Sequence, residues 1–141
     1  MVAIAFGCED FVTDLEGVHD PGEQSLFTAR GMIAMAARAN GVVPIDTVHI
    51  NVHDLEHLEM NLVIAKNLGF EGMLILHPKE LQLAHRYFSP TAEEVDDSEE
   101  MLRLYEEAAK QDKGVALMDG KFIGPPMVAA ARKVLAKQAL I

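Results

Sequence analysis

Three short apolar runs, separated by stretches of helical periodicity, set the strongest limit on how this chain can fold. The first, Val2-Ala3-Ile4-Ala5-Phe6, stops at Gly7. The second, Ile45-Asp46-Thr47-Val48-His49-Ile50, follows Pro44 and reads as a strand by its branched residues. The third, Met73-Leu74-Ile75-Leu76, closes at His77-Pro78. Apolar runs bounded by Gly or Pro, like the first and third, read as buried parallel strands. Glu16 to Gly22 reads as a loop, and Ser25 is placed to cap a helix over Leu26 to Asn40, which Asn40-Gly41 ends. Asp54 caps a second helix that runs to about Asn67 and stops at Gly69, and Lys79 to Phe88 reads as a third. Strands alternating with helices, at spacings of about 40 and about 28 residues, give the rhythm of βα units on a parallel sheet. Three units cannot close an eight-stranded barrel, so the pattern predicts a small open sheet or part of something larger. The chain reads as beginning inside its first strand.

The pattern changes at Ser89-Pro90-Thr91. Ala92 to Asp112 reads as one acidic helix ending at Lys113-Gly114, with Glu93, Glu94, Asp96, Asp97, Glu99 and Glu100 on a solvated face near its N-terminus. Val115-Ala116-Leu117-Met118 and Lys121-Phe122-Ile123 flank Asp119-Gly120, a hairpin signal. Gly124-Pro125-Pro126 leads into a last helix, Met127 to Leu140, carrying Arg132, Lys133 and Lys137. Residues 1–88 therefore form an α/β part and residues 89–141 an appendage to it.

At 141 residues, half of them apolar, the chain can build one domain with a core. Its formal net charge of −10 disfavours a nucleic-acid partner or an anionic membrane surface. An anionic substrate would need a metal, local Arg or Lys residues, or backbone N–H groups. Cys8 is the only cysteine, so no internal disulfide can form and a reducing, cytoplasmic compartment is expected. No apolar stretch is long enough to span a bilayer, and the N-terminus lacks the basic flank of a signal peptide.

Glu9 and Asp10 follow directly on the first strand, where α/β folds place their chemistry. Such oxygen donors suit a hard cation such as Mg²⁺, and the same spacing fits two solvated acids in a turn. His53 and His57 are four apart on one expected helix, a spacing that can bind zinc, but the pair lacks the His-Glu-x-x-His order and reads as an exposed helix face. Met32, Met35 and Met60 read as core filling.

Three pieces then point one way: Phe6-Gly7-Cys8-Glu9-Asp10-Phe11, then Leu68-Gly69-Phe70-Glu71-Gly72 running into Ile75-Leu76-His77-Pro78, then Met118-Asp119-Gly120-Lys121 before Pro125. Ala29-Arg30, Ala36 to Gly41 and Ile45-Asp46-Thr47-Val48 agree with them. In this order and at these distances, the chain resembles the second half of the citrate lyase β-subunit-like family. Malyl-CoA and citramalyl-CoA lyases belong to that family, within the wider HpcH/HpaI aldolase group.

The resemblance implies the last three βα units of a (β/α)8 TIM barrel followed by a C-terminal lid segment. It implies reversible, Mg²⁺-dependent cleavage of a 3-hydroxyacyl-CoA to acetyl-CoA and a 2-oxo acid. Asp10 matches the family's metal-binding Asp, while the partner Glu and the substrate-binding Arg, on earlier strands, have no counterpart in this sequence. Asp119 matches the general acid/base, which in malyl-CoA lyase-like members reaches the site of a neighbouring subunit. Gly7, Cys8 and Glu9 fall where substrate binds, and His77 and Pro78 where CoA runs. Met73 replaces a common Lys, and Asn51 a common Asp. The resemblance also implies a homo-oligomer, trimer-like in the family, or a missing N-terminal half. It leaves open a malyl-CoA thioesterase of the same family, or a non-catalytic half-domain.

Overall fold

Three parallel strands, β1 (Ala3–Ala5), β2 (Val43–Asp46) and β3 (Gly72–Met73), lie side by side in the order β1-β2-β3. Ala3 pairs with Val43 and Ala5 with Ile45, which in turn pairs with Gly72. This computed structural model describes residues 1–111 and 115–140. The chain divides into two units, Met1–Phe88 and Ser89–Ile141.

In the first unit, α1 (Cys8–Asp14) follows β1, α2 (Gln24–Ala39) precedes β2, α3 (Leu55–Leu68) joins β2 to β3, and α4 (Pro78–Phe88) closes the unit. α2 turns a stripe of Leu26, Arg30, Ala34 and Ala37 inward, and α3 turns Leu58, Leu62 and Ala65 inward. These residues recur three or four apart, so they share one face of each helix. Leu58 and Leu62 are fully buried and pack with Ala84 of α4. Each contributes roughly 1.5–3 kcal/mol through removal of its side chain from water. Met32, Met35 and Met60, expected in the core, are exposed because they fall off those stripes.

The strands are shorter and more open than their apolar runs predict. β1 is an edge strand, and Ala3, Ile4 and Ala5 are all exposed. β2 ends at Asp46 rather than Ile50, and the Thr47 hydroxyl just beyond it accepts the Cys8 N–H at 3.0 Å. β3 ends at Met73, and Leu74 and Leu76 are exposed rather than buried. There Glu80 Oε2 accepts the Leu76 and His77 N–H groups at 3.1 and 3.3 Å, turning the chain into α4.

Helix ends also differ. Asp54 does cap α3, accepting the His57 N–H at 3.0 Å, and Gly69 ends that helix at φ +92°. Ser25 does not cap α2 but lies inside it; the capping acceptor is Asp20, which takes the N–H groups of Gly22, Gln24 and Ser25. His53 precedes α3 while His57 is within it, so the two are not on one helix.

In the second unit, α5 (Ala92–Lys110) starts from a reciprocal cap between Thr91 and Glu94. Glu93, Asp96, Asp97, Glu99 and Glu100 are exposed on it. Its expected end at Lys113-Gly114 lies outside the described residues. The antiparallel hairpin of β4 (Ala116–Met118) and β5 (Lys121–Ile123) leads into α6 (Pro125–Gln138). Ala116, Ile123 and Val128 form a small core with Tyr105, Met101 and Ala108. No helix among the described residues is long and apolar enough to cross a membrane.

Candidate functional site

Gly7 ends β1 and serves as the N-cap of α1, so Glu9 and Asp10 lie in a first helical turn rather than in an irregular one. Two carboxylates there are favoured by the positive end of the helix dipole. Phe11 anchors the helix, its ring meeting Phe6 edge-on at 5.5 Å. The two acids point to different places. Glu9 Oε1 pairs with His19 Nε2 at 2.7 Å and lies 3.7 Å from the Cys8 thiol. Asp10 is exposed, and its carboxylate folds back over the strand end: a side-chain carbon at Gly7 would sit 3.2 Å from Asp10 Oδ2. Among the described residues the Asp10 carboxylate has no hydrogen bond or ion pair.

Cys8 is 3% exposed. Burial pushes its thiol pKa up; the Thr47 bond opposes that rise and the Glu9 charge adds to it. The Cys8 N–H is committed to Thr47, so it is not open to an incoming anion.

His77 and Pro78 stand at the β3–α4 junction, on the same C-terminal edge of the parallel sheet as Gly7 to Asp10. His77 Nδ1 accepts the Lys79 N–H at 3.2 Å, and its ring lies 6.4 Å from that of His53. Pro78 begins α4, where a missing N–H costs nothing. Beneath them Glu80 is fully buried, with Oε1 lacking a hydrogen-bond partner.

Asp119 belongs to the second unit. It sits at φ +50° and Gly120 at φ +75°, the two left-handed residues that a type I′ hairpin turn requires. Asp tolerates this conformation better than most residues and Gly adopts it freely.

A cavity of about 320 Å³ lies against the C-terminal part of β2, between α2 and α3. Its polar wall is a chain of side chains that patterning did not reveal. Arg30 holds Asp46 with two bonds and reaches Asn61 Oδ1 at 3.1 Å. Asn61 Nδ2 meets Glu23 Oε1 at 3.3 Å, and Glu23 lies 3.5 Å from His57. Burial raises the Asp46 carboxyl pKa, with the hydrogen bonds and charge of Arg30 acting against it. The available signal was a lone charge in each of two apolar patterns, Arg30 in an Ala-rich helix and Asp46 in a strand.

The family model for HpcH/HpaI aldolase/citrate lyase matches residues 1–78. The citrate lyase subunit beta of Leuconostoc mesenteroides subsp. cremoris is 32% identical over 135 residues, covering 96% of this chain and 45% of the relative. A (3S)-malyl-CoA thioesterase of Cereibacter sphaeroides is 30% identical over 137 residues, covering 97% of this chain and 48% of the relative. The crystal structure of protein CitE from Mycobacterium tuberculosis, in complex with magnesium, acetoacetate and coenzyme A, superposes with a TM-score of 0.77 at 22% identity. That match covers 98% of this chain and 52% of the CitE chain. The chain has a mixed α/β fold with acidic side chains at the C-terminal edge of its three-stranded parallel sheet. The chain belongs to the HpcH/HpaI aldolase/citrate lyase family. It spans about half the length of the curated relatives it matches.

Proposed function

We propose that this chain is the C-terminal part of a Mg²⁺-dependent carbon–carbon lyase that cleaves a 3-hydroxyacyl-CoA, of the malyl-CoA or citramalyl-CoA type, to acetyl-CoA and a 2-oxo acid. Residues 1–88 supply the last three βα units of a TIM barrel, and residues 89–141 a lid segment. The observation that carries the reading is the Asp10 carboxylate, free of any described protein partner and folded over Gly7 at the C-terminal end of β1. A hard, anionic oxygen donor without a partner fits Mg²⁺, which is commonly bound through one or two carboxylates and otherwise through waters and substrate. Once bound, the ion supplies Lewis-acid polarisation of a carbonyl oxygen.

Asp10 holds that ion at the strand end. Gly7, lacking a side chain, leaves room for the small oxo acid beside it, and Cys8 and Glu9 border that space. Glu9 is engaged with His19 and is not a second free ligand. His77 and Pro78, on the same sheet edge, line the path of the CoA moiety. Asp119 is the general acid/base: in cleavage it returns a proton to the α-carbon of the thioester enolate, and in condensation it removes one from the acetyl methyl group. A tight turn presents that carboxylate at the tip of a hairpin, and enclosure against a thioester would strengthen it as a base by desolvation. In this reading Asp119 serves the site of another subunit of a homo-oligomer.

The relationship to a malyl-CoA thioesterase supports a second reading, hydrolysis of the thioester. One assay separates the two. Malyl-CoA and citramalyl-CoA are supplied with Mg²⁺ to the chain in its full-length form, and products are followed by mass. Acetyl-CoA with glyoxylate or pyruvate is the expected outcome; free CoA with the intact hydroxy acid would replace the lyase by the thioesterase. Neither product would leave a non-catalytic role.

A further inference from the structure

We propose that Cys8, Glu9 and His19 form a second cation site, for a borderline-soft divalent ion of the zinc class, distinct from the hard-cation carboxylate at Asp10. One donor atom from each residue lies within 4.8 Å of the other two. Zinc holds sulfur at about 2.3 Å and nitrogen or oxygen at about 2.0–2.2 Å, which places tetrahedral ligands about 3.5 Å apart. Glu9 Oε1 and Cys8 Sγ, at 3.7 Å, already have that separation. Glu9 Oε1 and His19 Nε2, at 2.7 Å, need to part by less than about 1 Å to meet it. His19 can make that move, because it sits in the loop between α1 and α2 with its side chain 32% exposed.

The bare Glu9–His19 pair explains two of the three groups but not the thiol. Cys8 Sγ makes long contacts to Glu9 Oε1 at 3.7 Å and to the Val48 carbonyl at 3.9 Å, and neither is a strong hydrogen bond. Metal binding would displace the thiol proton to solvent, and a divalent ion would balance the resulting thiolate and the neighbouring carboxylate. Sulfur and imidazole donors select zinc-class ions over Mg²⁺, so the two sites differ in chemistry as well as position. Cys8 and His19 both line the cavity of about 320 Å³, which offers space on their open side for a water or small ligand as a fourth partner.

Cobalt reports thiolate ligation directly. The full chain is titrated with Co²⁺, and a near-ultraviolet thiolate-to-cobalt absorption band is followed with the visible d–d bands. Both are expected to saturate at one ion per chain, to disappear on adding Zn²⁺ and to resist an equal concentration of Mg²⁺. Cys8→Ser should abolish the near-ultraviolet band, and His19→Gln should weaken Co²⁺ binding at least about tenfold. Asp10→Asn should change neither, which keeps this test independent of the Mg²⁺ reading. If Cys8→Ser fails to fold, the His19→Gln variant still decides, since that side chain is partly exposed. Co²⁺ uptake without the thiolate band, the same affinity in His19→Gln, or no uptake at all would overturn the proposal.

Discussion

Arg30 on α2 and Asp46 at the end of β2 form a two-pronged ion pair sealed from solvent, Nε to Oδ1 at 3.2 Å and Nη2 to Oδ2 at 2.5 Å. Arg30 is 1% exposed and Asp46 3%. Arg30 also bonds the side chain and the backbone carbonyl of Asn61, so one guanidinium ties α2, β2 and α3 together. Paired charges of this kind contribute little net stability against an apolar core, but removing one partner leaves the other buried and alone.

Arg30→Leu is therefore expected to cost about 3–5 kcal/mol in urea unfolding, and adding Asp46→Leu should recover much of that loss. The pH dependence gives a further check. Burial raises the Asp46 carboxyl above its ordinary 3.8, and Arg30→Leu removes the two strongest influences that oppose that rise, leaving only the Thr47 backbone hydrogen bond against it. A carboxyl raised by folding binds its proton more tightly in the folded chain. Its contribution is fully present below the unfolded value and lost as pH climbs through the folded one. The destabilisation of Arg30→Leu should grow from about pH 4 towards neutrality. A variant equally damaged at both ends would contradict this account.

Asp20 runs the other way. Its carboxylate takes the N–H groups of Ser25 and Gln24, which lower its pKa from 3.8 to about 2. A depressed carboxyl stabilises the fold above its unfolded value, and that stability is lost as pH falls from 3.8 through about 2. Stability should drop less over this window in Asp20→Ala, which has already lost the cap, than in the unaltered chain. A carbon-detected NMR titration of Asp20 checks the shift itself; an ordinary carboxylate value would refute it.

These two acids mark what patterning could and could not reveal. Helix positions and the Asp119-Gly120 turn follow from local rules, since caps and left-handed residues act over three or four positions. Asp20 was invisible because its cap works from outside the usual position and depends on Glu23 taking φ +56°. Arg30 and Asp46 were invisible because pairing joins residues from separate elements. The apolar count of the third run promised burial, but Glu80 drew its backbone out of the sheet. Asp10 was placed at a strand end by sequence, while the α1 helix around it depends on Phe11 and Val12 packing into the core beside Phe6.

Asp10→Asn should cost folding no more than about 1 kcal/mol, because the carboxylate has no hydrogen bond or ion pair among the described residues and loses only its favourable place in the first helical turn. If Asp10 holds the proposed Mg²⁺, the same change in the full-length protein should abolish Mg²⁺ binding at that site. Calorimetric Mg²⁺ titration with the 2-oxo acid present measures it. Wild-type affinity in the Asn variant would remove Asp10 from the metal site.

Asp119 and Gly120 separate turn geometry from chemistry. Asn accepts φ +50° as well as Asp does, so Asp119→Asn should keep the hairpin and its stability. If Asp119 moves the proton at the thioester α-carbon, that variant loses about 10²–10⁴-fold in kcat in the full-length protein. Gly120→Ala does the reverse: at φ +75° a side chain costs about 1–2 kcal/mol, yet the acid remains. Solvent deuterium exchange into the acetyl-CoA methyl group reads the proton step apart from bond cleavage. Exchange should vanish in Asp119→Asn and persist in Gly120→Ala wherever that variant is folded. Exchange at the wild-type rate in Asp119→Asn would assign the proton to another group and leave Asp119 as a turn residue.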